Sequence, residues 1–167
     1  MERKLTMSLI DPRRLWVDSR EHWTHPGSTD THIRKYFDTH GIEYEVVKLD
    51  CGDYMLPGGT VSVDRKQDLQ ELAGNLLNPN DKGRFWREVR RARETGVKLV
   101  ILCEHGGQIK AFSDVKKWKS KYGRATGKSL SDAIFRLYMA YGVQVLYCDK
   151  RSTGRRIIEI LRGEDDT

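Results

Sequence analysis

Residues 62–69 read Ser-Val-Asp-Arg-Lys-Gln-Asp-Leu, placing Asp64 and Lys66 two positions apart. On a strand that spacing points both side chains to one face. Upstream, Cys51-Gly52 precedes Asp53, and ten residues separate Asp53 from Asp64. Pro57-Gly58-Gly59 reads as a turn, so strands over 53–56 and 60–65 would pair as a hairpin with Asp53 and Asp64 roughly opposite. Carboxylates that face each other across a strand pair repel. A divalent cation between them relieves the repulsion, and Mg²⁺ takes one or two carboxylates plus water and phosphate. An ammonium at Lys66 can orient or deprotonate an attacking water and stabilise charge on a phosphate. The matching chemistry is metal-assisted phosphodiester hydrolysis. The same loose pattern also fits a surface ion pair. Asp18 in Val17-Asp18-Ser19-Arg20-Glu21 and Glu104 after Val100-Ile101-Leu102-Cys103 put two further acids at strand ends. In open α/β sheets functional groups gather at such ends.

The elements that must position these groups follow from periodicity. Leu15-Trp16-Val17 reads as a strand ending at Asp18, and residues 21–32 as a loop. A helix from about Thr29 carries Ile33, Tyr36 and Phe37 on one face and ends at Gly41. Residues 44–49 alternate as a strand. Leu69, Leu72, Ala73 and Leu76 recur at helical spacing, as do Phe85, Val89 and Ala92 in a helix over about 82–95. Lys98 to Cys103 is a buried strand, Leu130 to Tyr141 a helix, 143–147 a last strand and 155–161 a closing helix. Strands alternating with helices, with a meander at 44–65, predict an α/β fold: a three-layer sandwich with a central mixed sheet flanked by helices, its last two strands parallel neighbours or near neighbours.

The 167 residues suit one domain, read as an extension over 1–13, a main domain over 14–162 and an acidic tail over 163–167. The formal charge of +6 points to a polyanionic partner. Three cysteines without a CxxC pair read as reduced thiols in a cytoplasmic protein, or a nuclear one if eukaryotic. No stretch approaches a membrane span. Gly123-Arg124-Ala125-Thr126-Gly127-Lys128-Ser129 is one residue short of a P-loop and follows no apolar strand, so no nucleotide cofactor is expected. Ser129 or Ser131 is expected to cap the following helix. His22, His25, His32 and His40 lack the companions of a zinc site, and His22 and His25, on a loop beside the acids, read as plain surface residues, with DNA contact the alternative.

With these motifs in order, the chain resembles the XPF–Hef family of structure-specific endonucleases within the PD-(D/E)xK nuclease group. The residues that carry the resemblance are Val17-Asp18-Ser19-Arg20-Glu21, Gly52-Asp53-Tyr54 and Val63-Asp64-Arg65-Lys66, with a strand ending at Glu104. It extends over roughly 14–162 and implies a restriction-endonuclease-like fold. It further implies that Asp53 and Asp64 bind Mg²⁺, with Mn²⁺ able to substitute. The Arg65 main-chain carbonyl is implied as a further ligand. Lys66 is implied to be catalytic, and Glu21 and Arg65 to contribute; Asp18 and Arg20 would support the site. The family's E-R-K is D-R-K here, which keeps the carboxylate. Its Asp four residues after the lysine is Gln70, with Asp68 and Glu71 nearby. The expected substrate is branched or structured DNA, cut during repair, recombination or replication. A homodimer or heterodimer is expected through about 128–162, where Ile134, Leu137, Ile157 and Ile160 serve either the interface or the core. The chain reads as a nuclease domain without a helix-hairpin-helix pair or helicase region, of a kind phages and prophages encode.

DNA contacts are expected from two basic stretches. Arg84, Arg87 and Arg91 lie on the helix over 82–95, where a solvated face is the alternative. Lys117, Trp118, Lys119, Lys121, Arg124 and Lys128 interleave cations with aromatics, which suits phosphate contact and base stacking. There the alternative is a basic segment anchored in the core by Trp118. A catalytically silent DNA-binding or partner module, favoured by Gln70, is the rival reading of function, and a protein-binding decoy a third.

Overall fold

The computed structural model describes residues 14–21, 28–78, 83–105 and 108–163. The extension over 1–13, most of the acidic tail, and His22 and His25 lie outside them. Among the described residues a six-stranded sheet runs through the centre: β1 Arg14–Asp18, β2 Glu43–Val47, β3 Tyr54–Met55, β4 Val61–Lys66, β5 Lys98–Glu104 and β6 Gln144–Cys148. Its order is β2-β1-β3-β4-β5-β6. The pairs β1–β2, β4–β5 and β5–β6 are parallel, while β3 runs antiparallel to both neighbours. This is the expected mixed sheet, with the last two strands parallel.

The sequence explains why each strand sits where it does. Lys98-Leu-Val-Ile-Leu-Cys-Glu is buried at every position after the first, as a strand covered on both faces requires. Glu43-Tyr-Glu-Val-Val is mostly exposed and forms the edge.

Among the described residues, five α-helices cover the sheet: α1 Thr31–Thr39, α2 Leu69–Leu76, α3 Arg84–Thr95, α4 Gly127–Tyr141 and α5 Thr153–Arg162. Residues two apart on a strand share a face, so β5 divides its side chains between two cores. Leu99, Ile101 and Cys103 pack with α2, α3 and α4 through Leu72, Val89 and Leu130. Val100 and Leu102 pack on the other face with Ile33, Phe37 and Ile157 of α1 and α5. The helix expected from about Thr29 begins at Thr31, two residues later.

Ile134, Leu137, Ile157 and Ile160 are all buried, which settles them as core and removes them from any interface. The apolar side chains that α4 does expose are Phe135, Tyr138 and Met139. Thr126, rather than Ser129 or Ser131, caps α4. Its hydroxyl accepts the Ser129 amide, and the Ser129 hydroxyl accepts the Thr126 amide, a reciprocal capping box.

Candidate active site

The acids and Lys66 meet where β1 and β4 end and β3 begins. Gly52 makes the approach possible. Its φ is +73°, and a Cβ there would lie 2.0 Å from the Ser62 hydroxyl oxygen. That hydroxyl in turn donates to the Cys51 carbonyl at 2.8 Å, holding the turn against β4. Only glycine fits a left-handed residue so close to a neighbouring side chain.

Asp53 follows at once. Val63 is the ladder partner of Tyr54, yet its carbonyl accepts the Asp53 amide at 2.8 Å. Two residues of one chain segment therefore meet one residue of β4, the geometry of a β-bulge. Instead of standing squarely opposite Asp64, Asp53 turns its carboxylate along the strand, and Oδ2 accepts the Arg65 amide at 2.8 Å. The Asp53 carbonyl accepts the Asp18 amide at 2.8 Å, which ties in the end of β1.

Asp64 and Lys66 share the face of β4 that looks toward α2 and α3, as their spacing predicts. Lys66 Nζ lies 3.3 Å from Asp64 Oδ2 and 4.0 Å from Glu71 Oε1, and sits over the Phe85 ring at 5.2 Å. Asp53, Asp64 and Lys66 are buried at 8%, 5% and 8% exposure, so a simple surface ion pair is ruled out. Burial works against the Lys66 ammonium, but Asp64, Glu71 and Asp53 outweigh it and raise its pKa above the ordinary value. These carboxylates favour the ammonium form of Lys66.

Asp18 is fully buried and saturated with donors. Oδ1 accepts the Leu49 amide at 2.9 Å; Oδ2 accepts Arg20 Nε at 2.5 Å and the Arg20 amide at 3.2 Å. These bonds hold Arg20 and the Leu49 backbone against the end of β1. Arg20 also reaches Glu88 on α3, donating from Nη2 at 2.8 Å. Sequence reasoning missed Glu88, whose pKa is raised by burial first and then by Asp64, against the pull of Arg20. Glu88 is the middle of an Arg84-x3-Glu88-x2-Arg91 stripe on one helix face, the only signal that could have marked it. Glu21 ends a short 3-10 turn over Ser19–Glu21, and its side chain lies outside the described residues.

Arg65 points the other way. Its Nε donates to Glu104 Oε1 at 2.6 Å, and its Nη1 and Nη2 to the Thr29 hydroxyl and carbonyl at 3.0 and 2.9 Å. His32 Nε2 meets the same Glu104 oxygen at 2.8 Å. Glu104 thus belongs to a buried pair on the opposite face from Asp64 and does not join the acids, contrary to the grouping of strand-end carboxylates. The guanidinium of Arg65 leaves the cluster with it, and the main chain is what Arg65 brings to the site.

Around the cluster, Arg84, Arg87 and Arg91 are exposed along α3. Lys117, Lys119, Lys121, Arg124 and Lys128 are exposed beyond α2. Trp118 is buried at 7% and belongs to the core between β5 and α4, so it anchors this segment and is not a stacking surface. Gln70 donates from Nε2 to the Ser120 hydroxyl at 3.1 Å and accepts the Lys121 amide at Oε1 at 3.0 Å.

Among the described residues no three His, Cys, Asp or Glu side chains are grouped closely enough to hold a metal ion. The donor chemistry nonetheless fits a hard cation. Asp53 and Asp64 both stand beside Lys66, and Mg²⁺ completes its octahedron with water and substrate oxygens.

The sequence matches the ERCC4 domain over residues 17–161. Among solved structures, the chain is similar to XPF from Aeropyrum pernix. The TM-score is 0.63 at 22% identity, over 90% of this chain and 64% of the other. The same protein in complex with DNA matches with a TM-score of 0.62 at 21% identity, over the same shares. This chain thus spans about two thirds of the length of those structures, and the likeness establishes the fold. No curated protein matches it significantly.

Proposed function

The chain belongs to the ERCC4 domain family, and on that premise we propose that it is a Mg²⁺-dependent DNA endonuclease acting on branched or structured DNA. The observation that carries the reading is the buried charge cluster: Lys66 held 3.3 Å from Asp64, with Asp53 locked beside them by the Arg65 amide. Two buried carboxylates and a lysine at a rim otherwise lined with arginine and lysine are costly for stability alone. Their geometry suits a phosphodiester whose flanking phosphates are drawn in by the surrounding cations.

Asp53 and Asp64 would hold the metal, with the Arg65 carbonyl as the expected main-chain ligand. When bound, Mg²⁺ supplies Lewis-acid activation of water and neutralises charge on the phosphate. Lys66 places its amino group against the phosphate oxygens and orients the attacking water. Asp18 and Arg20 keep the end of β1 against Asp53, which fixes the cluster's spacing. The exposed Phe135, Tyr138 and Met139 on α4 are the surface we assign to a homodimer or heterodimer.

The test incubates the protein with end-labelled flap, splayed-arm, four-way-junction and plain duplex DNA, in Mg²⁺, Mn²⁺ or EDTA. Metal-dependent cuts near the branch, abolished by Asp64→Ala, are expected. Binding without cutting, unchanged in Asp64→Ala, would overturn the enzyme reading in favour of a silent DNA-binding module.

A further inference from the structure

The segment beyond Trp118 is more ordered and more exposed than a basic loop need be. Lys119 and Thr126 pair in an isolated antiparallel bridge, and Gly123 turns the chain between them at φ +76°. At the tip Tyr122 is 75% exposed, the highest value among the large apolar side chains described. Lys121 and Arg124 flank it, both exposed. The loop is tied down at both ends. Gly127 packs so closely on Lys116 that a Cβ would lie 2.4 Å from its carbonyl oxygen. On the other side Gln70 grips Ser120 and Lys121, and the Ser120 hydroxyl donates in turn to the Tyr122 carbonyl.

Gln70 lies in the first turn of α2, four residues beyond Lys66, so the clamp links the loop to the strand that carries Asp64 and Lys66. Between loop and strand ends lies a groove of about 460 Å³, lined by Asp68, His105, Gln108, Lys117, Lys119 and Lys121. That is within the size range of small-ligand sites. The carboxylate of Asp68 also faces the groove, but its Oδ1 is engaged in capping α2 through the Glu71 amide at 2.8 Å. The three lysines leave the groove cationic.

We infer that this loop and groove form a subsite for an unpaired nucleotide beside the scissile phosphate, with Tyr122 stacking on the base and Gln70 setting its distance from Lys66. The inference rests on the nuclease reading of the Asp53–Asp64–Lys66 cluster. Lys119, Lys121 and Arg124 neutralise backbone phosphates. A tyrosine at a loop tip can stack only on a base whose face is uncovered, which a continuous duplex does not offer and a branch point or single-stranded arm does. Gln70 acts through the loop as a positioning residue. It stands where the family resemblance leads one to expect an aspartate, and its amide supplies both the acceptor and the donor that Lys121 and Ser120 require.

The experiment measures binding by fluorescence anisotropy in EDTA, using a duplex and the same duplex with one single-stranded arm. The arm carries 2-aminopurine at the unpaired position next to the junction, whose emission is quenched on stacking. The wild-type chain is expected to prefer the armed DNA and quench the probe. Tyr122→Ala should lose about tenfold in affinity for the armed DNA, from the magnitude of aromatic–base stacking, with little change on plain duplex. Tyr122→Phe should retain the preference. Gln70→Leu should weaken the quenching although Tyr122 is present, and Gln70→Glu, which keeps the acceptor, should restore much of it. Equal loss on both DNAs, or none, in Tyr122→Ala overturns the subsite and leaves the nuclease reading intact. A wild-type chain that binds neither DNA overturns both.

Discussion

The division of labour between Asp64 and Arg65 shows how adjacent residues on one strand serve opposite faces. Asp64 turns to the cluster with Lys66, and Arg65 turns away to Glu104 and Thr29. Burial alone would raise the Glu104 pKa, but hydrogen bonds from His32 and Arg65 outweigh it and hold the carboxyl below its ordinary 4.5. A carboxylate whose folded pKa is depressed contributes stability that is full above the ordinary value and is lost as pH falls through the folded one. Glu104→Gln keeps an acceptor for Arg65 but removes the negative charge opposite a buried guanidinium, and should cost about 3 kcal/mol at pH 7. The gap to wild type should narrow on acidification below pH 4.5, where the wild type loses the same interaction. Urea melts from pH 7 down to pH 3 measure this, and stability curves that stay parallel would contradict the assignment.

At the scale of elements, the turn into β3 decides the site. Gly52 is there because the chain must enter a left-handed conformation directly against Ser62. Gly41 supplies a natural control: its φ is +66°, and nothing lies within 4 Å of where its Cβ would be. Gly41→Ala pays only the left-handed strain, about 1–2 kcal/mol. Gly52→Ala adds a collision with Ser62, worth roughly a further 1–3 kcal/mol by analogy with overpacked cores. It should also displace Asp53 and lower activity far more than Gly41→Ala does. Chemical denaturation of the two variants separates the contributions; equal destabilisation would mean that the close approach carries no cost.

For the whole molecule, two layers of helices close both sheet faces and yet leave Phe135, Tyr138 and Met139 exposed on α4 at 55%, 55% and 67%. They recur at i, i+3 and i+4, one stripe of a helix whose other stripe, Leu130, Ile134 and Leu137, is core. If this stripe joins two copies, Phe135→Glu with Met139→Lys should shift the chain from dimer to monomer in sedimentation. The melting temperature of the monomer should become independent of protein concentration. A wild-type chain that is monomeric at every concentration would remove the homodimer.

The sequence by itself determined the order and type of the elements, because strand and helix periodicities are local properties of the chain. It also determined that Asp64 and Lys66 share a face, since that follows from a period of two, and the motif spacing was enough to mark the family. Only the tertiary structure decided which acids meet. Glu104 and Asp64 both sit at strand ends, but they fall on opposite faces of the sheet, and face is set by the register of β4 against β5. Glu88 enters the site from a helix that no short motif connects to Asp18, through an arginine bridging distant segments. Trp118 and Tyr122 lie in one basic stretch and look interchangeable in sequence. The core on the α2–α4 face of the sheet buries the first, and the Gln70 clamp presents the second, because burial depends on long-range contacts that a local pattern does not encode.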